Sequence, residues 1–189
     1  MAFLSRERLI QMGFESLGDN VLISDKASLY NVGRIAIGSH VRIDDFCVLS
    51  AGQGGIEIGS YIHIAVYTSL IGKGKIILRD YVNISSRVSI YSSNDDYSGA
   101  YMTNPMVPEQ FTNVLYEDVL LFEHVIVGSG TVILPGSVLN RGVAIGALSL
   151  VNSEIPEFEI HAGVPTKFKR KRLEKLTILE DNLKYDKSK

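Results

Sequence analysis

The hydrophobic positions of this chain recur every six residues. From Leu17 it reads LGDNVL, ISDKAS and then Leu29; from Ile37, IGSHVR, IDDFCV and then Leu49; from Ile58, IGSYIH, IAVYTS and then Leu70. The reading resumes at Leu78 with LRDYVN and ISSRVS, and at Leu121 with LFEHVI, VGSGTV, ILPGSV, LNRGVA and IGALSL. In these thirteen hexads the first position is always Leu, Ile or Val, and the fifth is small or β-branched, never charged. A six-residue step is too short for a helix pair and does not fit heptads. It suits a short strand and a tight corner, with one large and one small side chain turned inward. Three steps close a triangular coil. The coil starts at Leu17, Ile37, Ile58, Leu78, Leu121 and Leu139 are 20, 21, 20, 43 and 18 residues apart. The small excesses predict bulged corners and the large one a long loop.

Six such coils at ~4.8 Å each would stack to roughly 30 Å. A β-sandwich also has many short strands, but its strands alternate without a fixed six-residue period. The predicted fold class is therefore all-β: a parallel β-helix, a triangular solenoid whose ends need caps. Residues 1–16 are predicted as a short N-terminal helical cap and 17–164 as the β-helix, with an excursion over 94–118. Residues 165–189 are predicted as a C-terminal helix and tail, with Leu173, Leu176, Leu179 and Leu183 on one stripe. Corners explain the 17 glycines, since many corners need positive φ.

Composition narrows the function. A net charge of −2 argues against nucleic acid as main partner, because phosphate binding leaves a basic footprint. No apolar run approaches the ~20 residues of a membrane helix, and the charged start MAFLSRERLIQMGF does not resemble a signal peptide. The single cysteine, Cys47, can make neither an internal disulfide nor a cysteine zinc cluster. The expected compartment is the cytoplasm. No cluster of His, Cys and Asp at ligand spacing is seen, so no metal is expected. AGQGG at 51–55 reads as a turn rather than a phosphate loop, for want of a strand-then-helix context.

Among the four histidines, His40 and His124 take the fourth hexad position and His161 the closing IHAG segment; each is expected at the solvated surface. His63 ends IGSYIH in an otherwise apolar context. Its side chain should point out of the prism, towards a groove or a neighbouring subunit. The loop NDDYSGAYMTNPMVPEQFTNVLYED is long enough to be functional, and its tyrosines and amides suit a sugar or nucleotide. Asn94-Asp95-Asp96 can equally be an ordinary polar turn, and Ser85 and Ser86 ordinary corner serines.

The stretch 125–167, VIVGSGTVILPGSVLNRGVAIGALSLVNSEIPEFEIHAGVPTK, together with the SSNDDYSG segment, resembles the hexapeptide-repeat acyltransferases. The closest likeness is to the branch of galactoside, maltose and xenobiotic acetyltransferases and surface-polysaccharide sugar acyltransferases. The resemblance implies a left-handed coil and a homotrimer with active sites between subunits. It also implies acetyl-CoA, or another short acyl-CoA, as co-substrate. In the galactoside-type enzymes a catalytic histidine opens the substrate loop; here that position is Asp95. His63 could then supply the imidazole, oriented by Asp95 or Asp96, or Asp95 could be the base itself. A carboxylate, with a pKa of about 4 in water, is a weak base for a hydroxyl but adequate for an amine. The departure therefore favours an amino-sugar acceptor, with His63 and Asp95 catalytic and Ser85, Ser86, Asn94, Asp96 and Tyr97 holding the substrate.

For the coenzyme the resemblance implies contacts at Ser129, Ala147, Asn152, Ser153, Lys167 and Arg170, the two cations facing phosphate. Asn152-Ser153 stand where the family often has Thr-Lys. The implied function is acyl transfer from acyl-CoA to the amino group of a nucleotide-linked or precursor sugar of surface polysaccharide. A sugar O-acetyltransferase, a non-catalytic β-helix scaffold and a γ-carbonic-anhydrase-like metal protein are the alternatives; the last needs a third convergent histidine that the spacing does not supply.

Overall fold

The computed structural model describes residues 2–187. Three sheets of seven, eight and six strands, parallel except for the last strand of the second, form the walls of a triangular prism. Each coil contributes one strand to each wall. Ile35–Ile37, Ile56–Ile58, Ile76–Leu78 and Val119–Leu121 are neighbours on the first wall. Val41–Ile43, Ile62–Ile64, Asn83–Ile84 and Ile126–Val127 are neighbours on the second, and Val48–Ala51, Ser69–Gly72 and Ser89–Tyr91 on the third. The register sets first hexad positions opposite one another: Ile37 on Ile58 on Leu78 on Leu121, and Leu49 on Leu70 on Ile90. These rows are buried and form one continuous core. Each such side chain stabilises the coil by roughly 1.5–3 kcal/mol.

The fifth positions are small because they sit just inside the corners, and several use a polar atom there. Thr68 Oγ1 donates to the Ser85 carbonyl at 3.2 Å and Ser149 Oγ to that of Gly146 at 2.7 Å. Corner carbonyls that would otherwise be orphaned thus find partners inside the prism. Cys47 is one of these fifth positions, and burial pushes its thiol up to about 11.

Eight of the glycines hold positive φ, among them Gly130, Gly136 and Gly142 at coil corners. Positive φ falls on large residues as well: His40, Tyr61, Tyr81 and His124 hold φ between 60° and 64°. Their rings stack up the corner between the first and second walls at centroid spacings of 4.7, 5.2 and 4.8 Å. Such pairs contribute ~0.5–1.5 kcal/mol, which offsets the ~1–2 kcal/mol cost of a left-handed residue. Glycine is also needed where coils touch. A Cβ on Gly38 would lie 2.6 Å from the carbonyl oxygen of Gly59 in the next coil.

Both ends are capped. At the N-terminus the helix Arg6–Gln11, capped by Ser5 Oγ accepting from the Arg8 N–H, buries Leu9 against the lowest coil. At the C-terminus the structure departs from the predicted helix over 165–189. Lys167–Lys171 is a strand, antiparallel to Glu159–Ala162, and the helix is Lys175–Lys187. The open edge of the second wall decides this, since KFKRK satisfies backbone groups the last coil would leave unpaired. The leucine stripe does not anchor the helix: Leu179 and Leu183 are exposed. Glu180 anchors it, meeting His124 Nε2 at 2.7 Å, Arg141 at 3.0 Å and Lys184. His124 is therefore nearly buried rather than solvated, as is His161, whose Nε2 lies 2.8 Å from Glu159.

Candidate active site

Two corners carry the chemistry. Ser85 and Ser86 follow Asn83–Ile84 and turn the chain from the second wall to the third. The next wall strand, Ser89–Tyr91, then delivers the chain to the third–first corner, where the loop begins. Ser93–Asn94 pairs antiparallel with Leu115–Tyr116 at the base of that loop, which fixes where Asp95 emerges. Ser85 and Asp95 thus stand on opposite sides of the third wall.

Asp95 lines clefts on both faces of the loop base. One, of about 430 Å³, is also bounded by Asn94, Asp96, Tyr97, Pro135 and Asn152. The other, of about 570 Å³, lies under the loop with Asn104, Glu109 and Thr112. Asp96 accepts from the Ser98 N–H at 2.8 Å and from Ser98 Oγ at 2.6 Å, and the hydroxyl contact holds its carboxyl below the usual range. Asp96 is thus occupied in shaping the turn, while Asp95 is exposed. Tyr97 is exposed almost completely, as is Met106 at the loop tip. Asn152 shares the Asp95 cleft, and Ser153 follows it on the same corner.

The second–third corner gathers the other expected residues. Ser85 N–H donates to Val127 O at 3.0 Å, Gly130 N–H to Ser86 O at 3.0 Å and Leu148 N–H to Ser129 O at 2.9 Å. Ser85–Ser86, Ser129 and Ala147 therefore form one column on successive coils, with Ser129 and Ala147 exposed. At Gly128 a Cβ would meet the Ala147 N at 2.5 Å, so the two coils touch backbone to backbone beside the column. Lys167 and Arg170 lie on the edge strand at the top of the second wall, both exposed.

His63 stands on the second wall, directly below Asn83 and one coil beneath Ser85. Neither Asp95 nor Asp96 orients it within the chain. Its Nε2 lies 2.9 Å from Asp44 Oδ2, and Asp44 Oδ1 accepts from Arg42 Nε at 2.7 Å. Asp44 is buried and fixed between them, so the ring is held while nearly half of it faces solvent. The sequence reading missed Asp44 because it lies 19 residues away. The coil period is the signal that finds it, since Arg42 and His63 pair across adjacent coils. No group of three or more His, Cys, Asp or Glu able to hold a metal occurs among the described residues. No helix among them is long and apolar enough to cross a membrane.

Comparison with known proteins places this architecture. The chain is 55% identical over 184 residues to the dTDP-4-amino-4,6-dideoxy-D-glucose acyltransferase of Escherichia coli, covering 97% of this chain and 96% of that one. The chain belongs to the hexapeptide-repeat sugar acyltransferases. Among solved structures, the N-acyltransferase AntD of Bacillus cereus superposes with a TM-score of 0.94 at 44% identity, over 98% of this acyltransferase and 100% of AntD. That AntD structure holds dTDP and coenzyme A. Others hold dTDP-4-amino-4,6-dideoxyglucose with coenzyme A, or dTDP with 3-hydroxybutyryl-CoA. AntD was solved with substitutions at one serine and one aspartate ten residues apart, the spacing of Ser85 and Asp95. A maltose O-acetyltransferase of Clostridium difficile shares the fold, with a TM-score of 0.60 at 20% identity over 89% of this chain and 75% of that one. The coil is the left-handed β-helix of this family. No family model matches the acyltransferase sequence.

Proposed function

We propose that this protein transfers a short acyl group from acyl-CoA to the amino group of a dTDP-linked 4-amino-4,6-dideoxy sugar, for use in surface polysaccharide. The full-length identity to an acyltransferase of that substrate carries the reading. The amine attacks the thioester carbonyl. A tetrahedral oxyanion forms and collapses, the C–S bond breaks, and the coenzyme leaves as its thiol. Asp95 takes the proton the amine sheds, and Ser85 holds the amine in line for attack. The exposed main chain at Ser129 and Ala147 receives the pantetheine arm, and Lys167 and Arg170 the coenzyme phosphates.

Ser85 and Asp95 can meet one sugar only if a neighbouring copy brings its third–first corner against this chain's second–third corner. A homotrimer of parallel prisms makes that arrangement three times over. His63, tied to Asp44 below Ser85, lies on the floor of the same groove. The cytoplasm is where we place the protein.

Incubation with acetyl-CoA and either dTDP-4-amino-4,6-dideoxyglucose or its 4-hydroxy counterpart, following thiol release, tests the reading. Thiol release with the amino sugar is expected. Release with the hydroxyl sugar alone would turn the assignment to O-acylation, and silence with both would overturn it.

A further inference from the structure

Most cations on the coils are spoken for. Lys26, Arg42, Lys75, Arg79 and Arg141 each lie against a carboxylate, and Arg34 donates to the Gly52 carbonyl. Lys73 and Arg87 are built differently. Lys73 Nζ sits 4.9 Å from the ring centroid of Tyr116, and Arg87 Cζ 5.6 Å from that of Tyr67. A cation over a ring is held in place yet keeps its N–H donors for another partner, because the ring face offers only a diffuse negative charge.

Their positions are informative. Arg87 is two residues from Ser85 on the second–third corner, with φ of 60°, and is exposed. Tyr67, beneath it, stacks in turn on Phe46 at 5.0 Å. Both rings are about half exposed, unlike the matching ladder on the first–second corner, whose upper end the C-terminal helix covers through Glu180. Lys73 is one coil below the loop base on the third–first corner. Its N–H donates to Ser93 Oγ at 3.3 Å, and its ring partner Tyr116 pairs with Ser93 across the loop base that carries Asp95. Each half of the composite site thus carries one tyrosine-seated cation: Arg87 beside Ser85, and Lys73 beside Asp95.

The geometry points to Arg87 and Lys73 of adjoining subunits as a clamp on the diphosphate of the nucleotide-linked acceptor. This assignment rests on the acyl-transfer reading above. The acceptor carries its two negative charges on the bridge between nucleoside and sugar, a short span from the amine, and two cations flanking the amine-binding residues match it in charge and place. A guanidinium supplies paired donors to phosphate oxygens and an ammonium a point charge. The clamp also makes the linked nucleotide a requirement, since a free sugar offers these cations nothing.

The test is calorimetric titration with dTDP and, separately, with coenzyme A, on wild type, Arg87→Met, Lys73→Met and Arg87→Lys. Each methionine variant should weaken dTDP binding by about tenfold or more, the effect of removing one charged hydrogen-bonding partner. Arg87→Lys should recover part of that loss, and coenzyme A binding should stay within about twofold. If Arg87→Met fails to fold, Arg87→Gln keeps a planar group over Tyr67 without the charge and carries the same expectation. Co-purified oligomers of Arg87→Met and Lys73→Met chains should regain tight dTDP sites, because some interfaces then hold both wild-type cations. Wild-type affinity for dTDP in either methionine variant, or no recovery in the mixed oligomer, would overturn the clamp and leave acyl transfer standing. A wild type that binds no dTDP and releases no thiol would remove both.

Discussion

Replacing Glu180 by Gln should cost stability in a pH-dependent way. Burial alone would raise the carboxyl's pKa, but the contacts from His124 and Lys184 outweigh it and hold it at about 2, against 4.5 for a free glutamate. That difference is worth at most about 3 kcal/mol of stability at neutral pH, less where solvent screens the exposed Lys184 ammonium. A carboxylate depressed in the folded state contributes fully above its unfolded pKa and loses that contribution as pH falls towards the folded one. The advantage of wild type over Glu180→Gln should therefore be level from pH 7 to about 5, fall to about 1 kcal/mol near pH 3, and nearly vanish at about 2. Urea denaturation at fixed protein concentration across that range measures it, and subtracting the variant cancels carboxylates common to both. A gap under about 0.5 kcal/mol at pH 7, or one that does not narrow below pH 4, would refute the argument that this ion cluster docks the C-terminal helix.

Asp95→Ala should lower turnover by about 10²–10⁴, the range for general acid–base groups, with coenzyme A affinity near wild type in a direct titration. Lys167→Ala should act the other way, raising the KM for acyl-CoA several-fold with kcat nearly unchanged, as expected for a contact kept from ground state to transition state. His63→Gln should change the pH profile of kcat/KM only if the imidazole handles a proton; an unchanged profile leaves Asp95 as the base. Gly38→Ala should lower thermal stability by about 1–3 kcal/mol, because its Cβ would press on the backbone of the next coil rather than on a side chain that can move.

The six-residue period by itself determined the fold. A large residue at position one and a small one at position five have one common solution, a strand and a corner repeated along an axis, and the buried rows are those positions. The 43-residue gap between Leu78 and Leu121 likewise located the long loop, because a stack of coils tolerates an insertion only where it leaves the prism. Asp95 came from the resemblance rather than from the period: it stands where the galactoside-type enzymes carry their histidine, counted without gaps from ISSRVSIY. What the period could not show was which side chains share a corner and what lies across it. Asp44 reaches His63 only because one coil returns the chain beneath the last, and Asn152 joins Asp95 because both stand on the third–first corner. Leucines that looked like an anchoring stripe lie open, while a charged Glu180 holds the helix, because the outer face of the prism presents histidine and arginine there rather than an apolar groove. Local pattern is set by neighbours along the chain; the partners of polar groups are set by neighbours a coil away, which only the closed prism brings together.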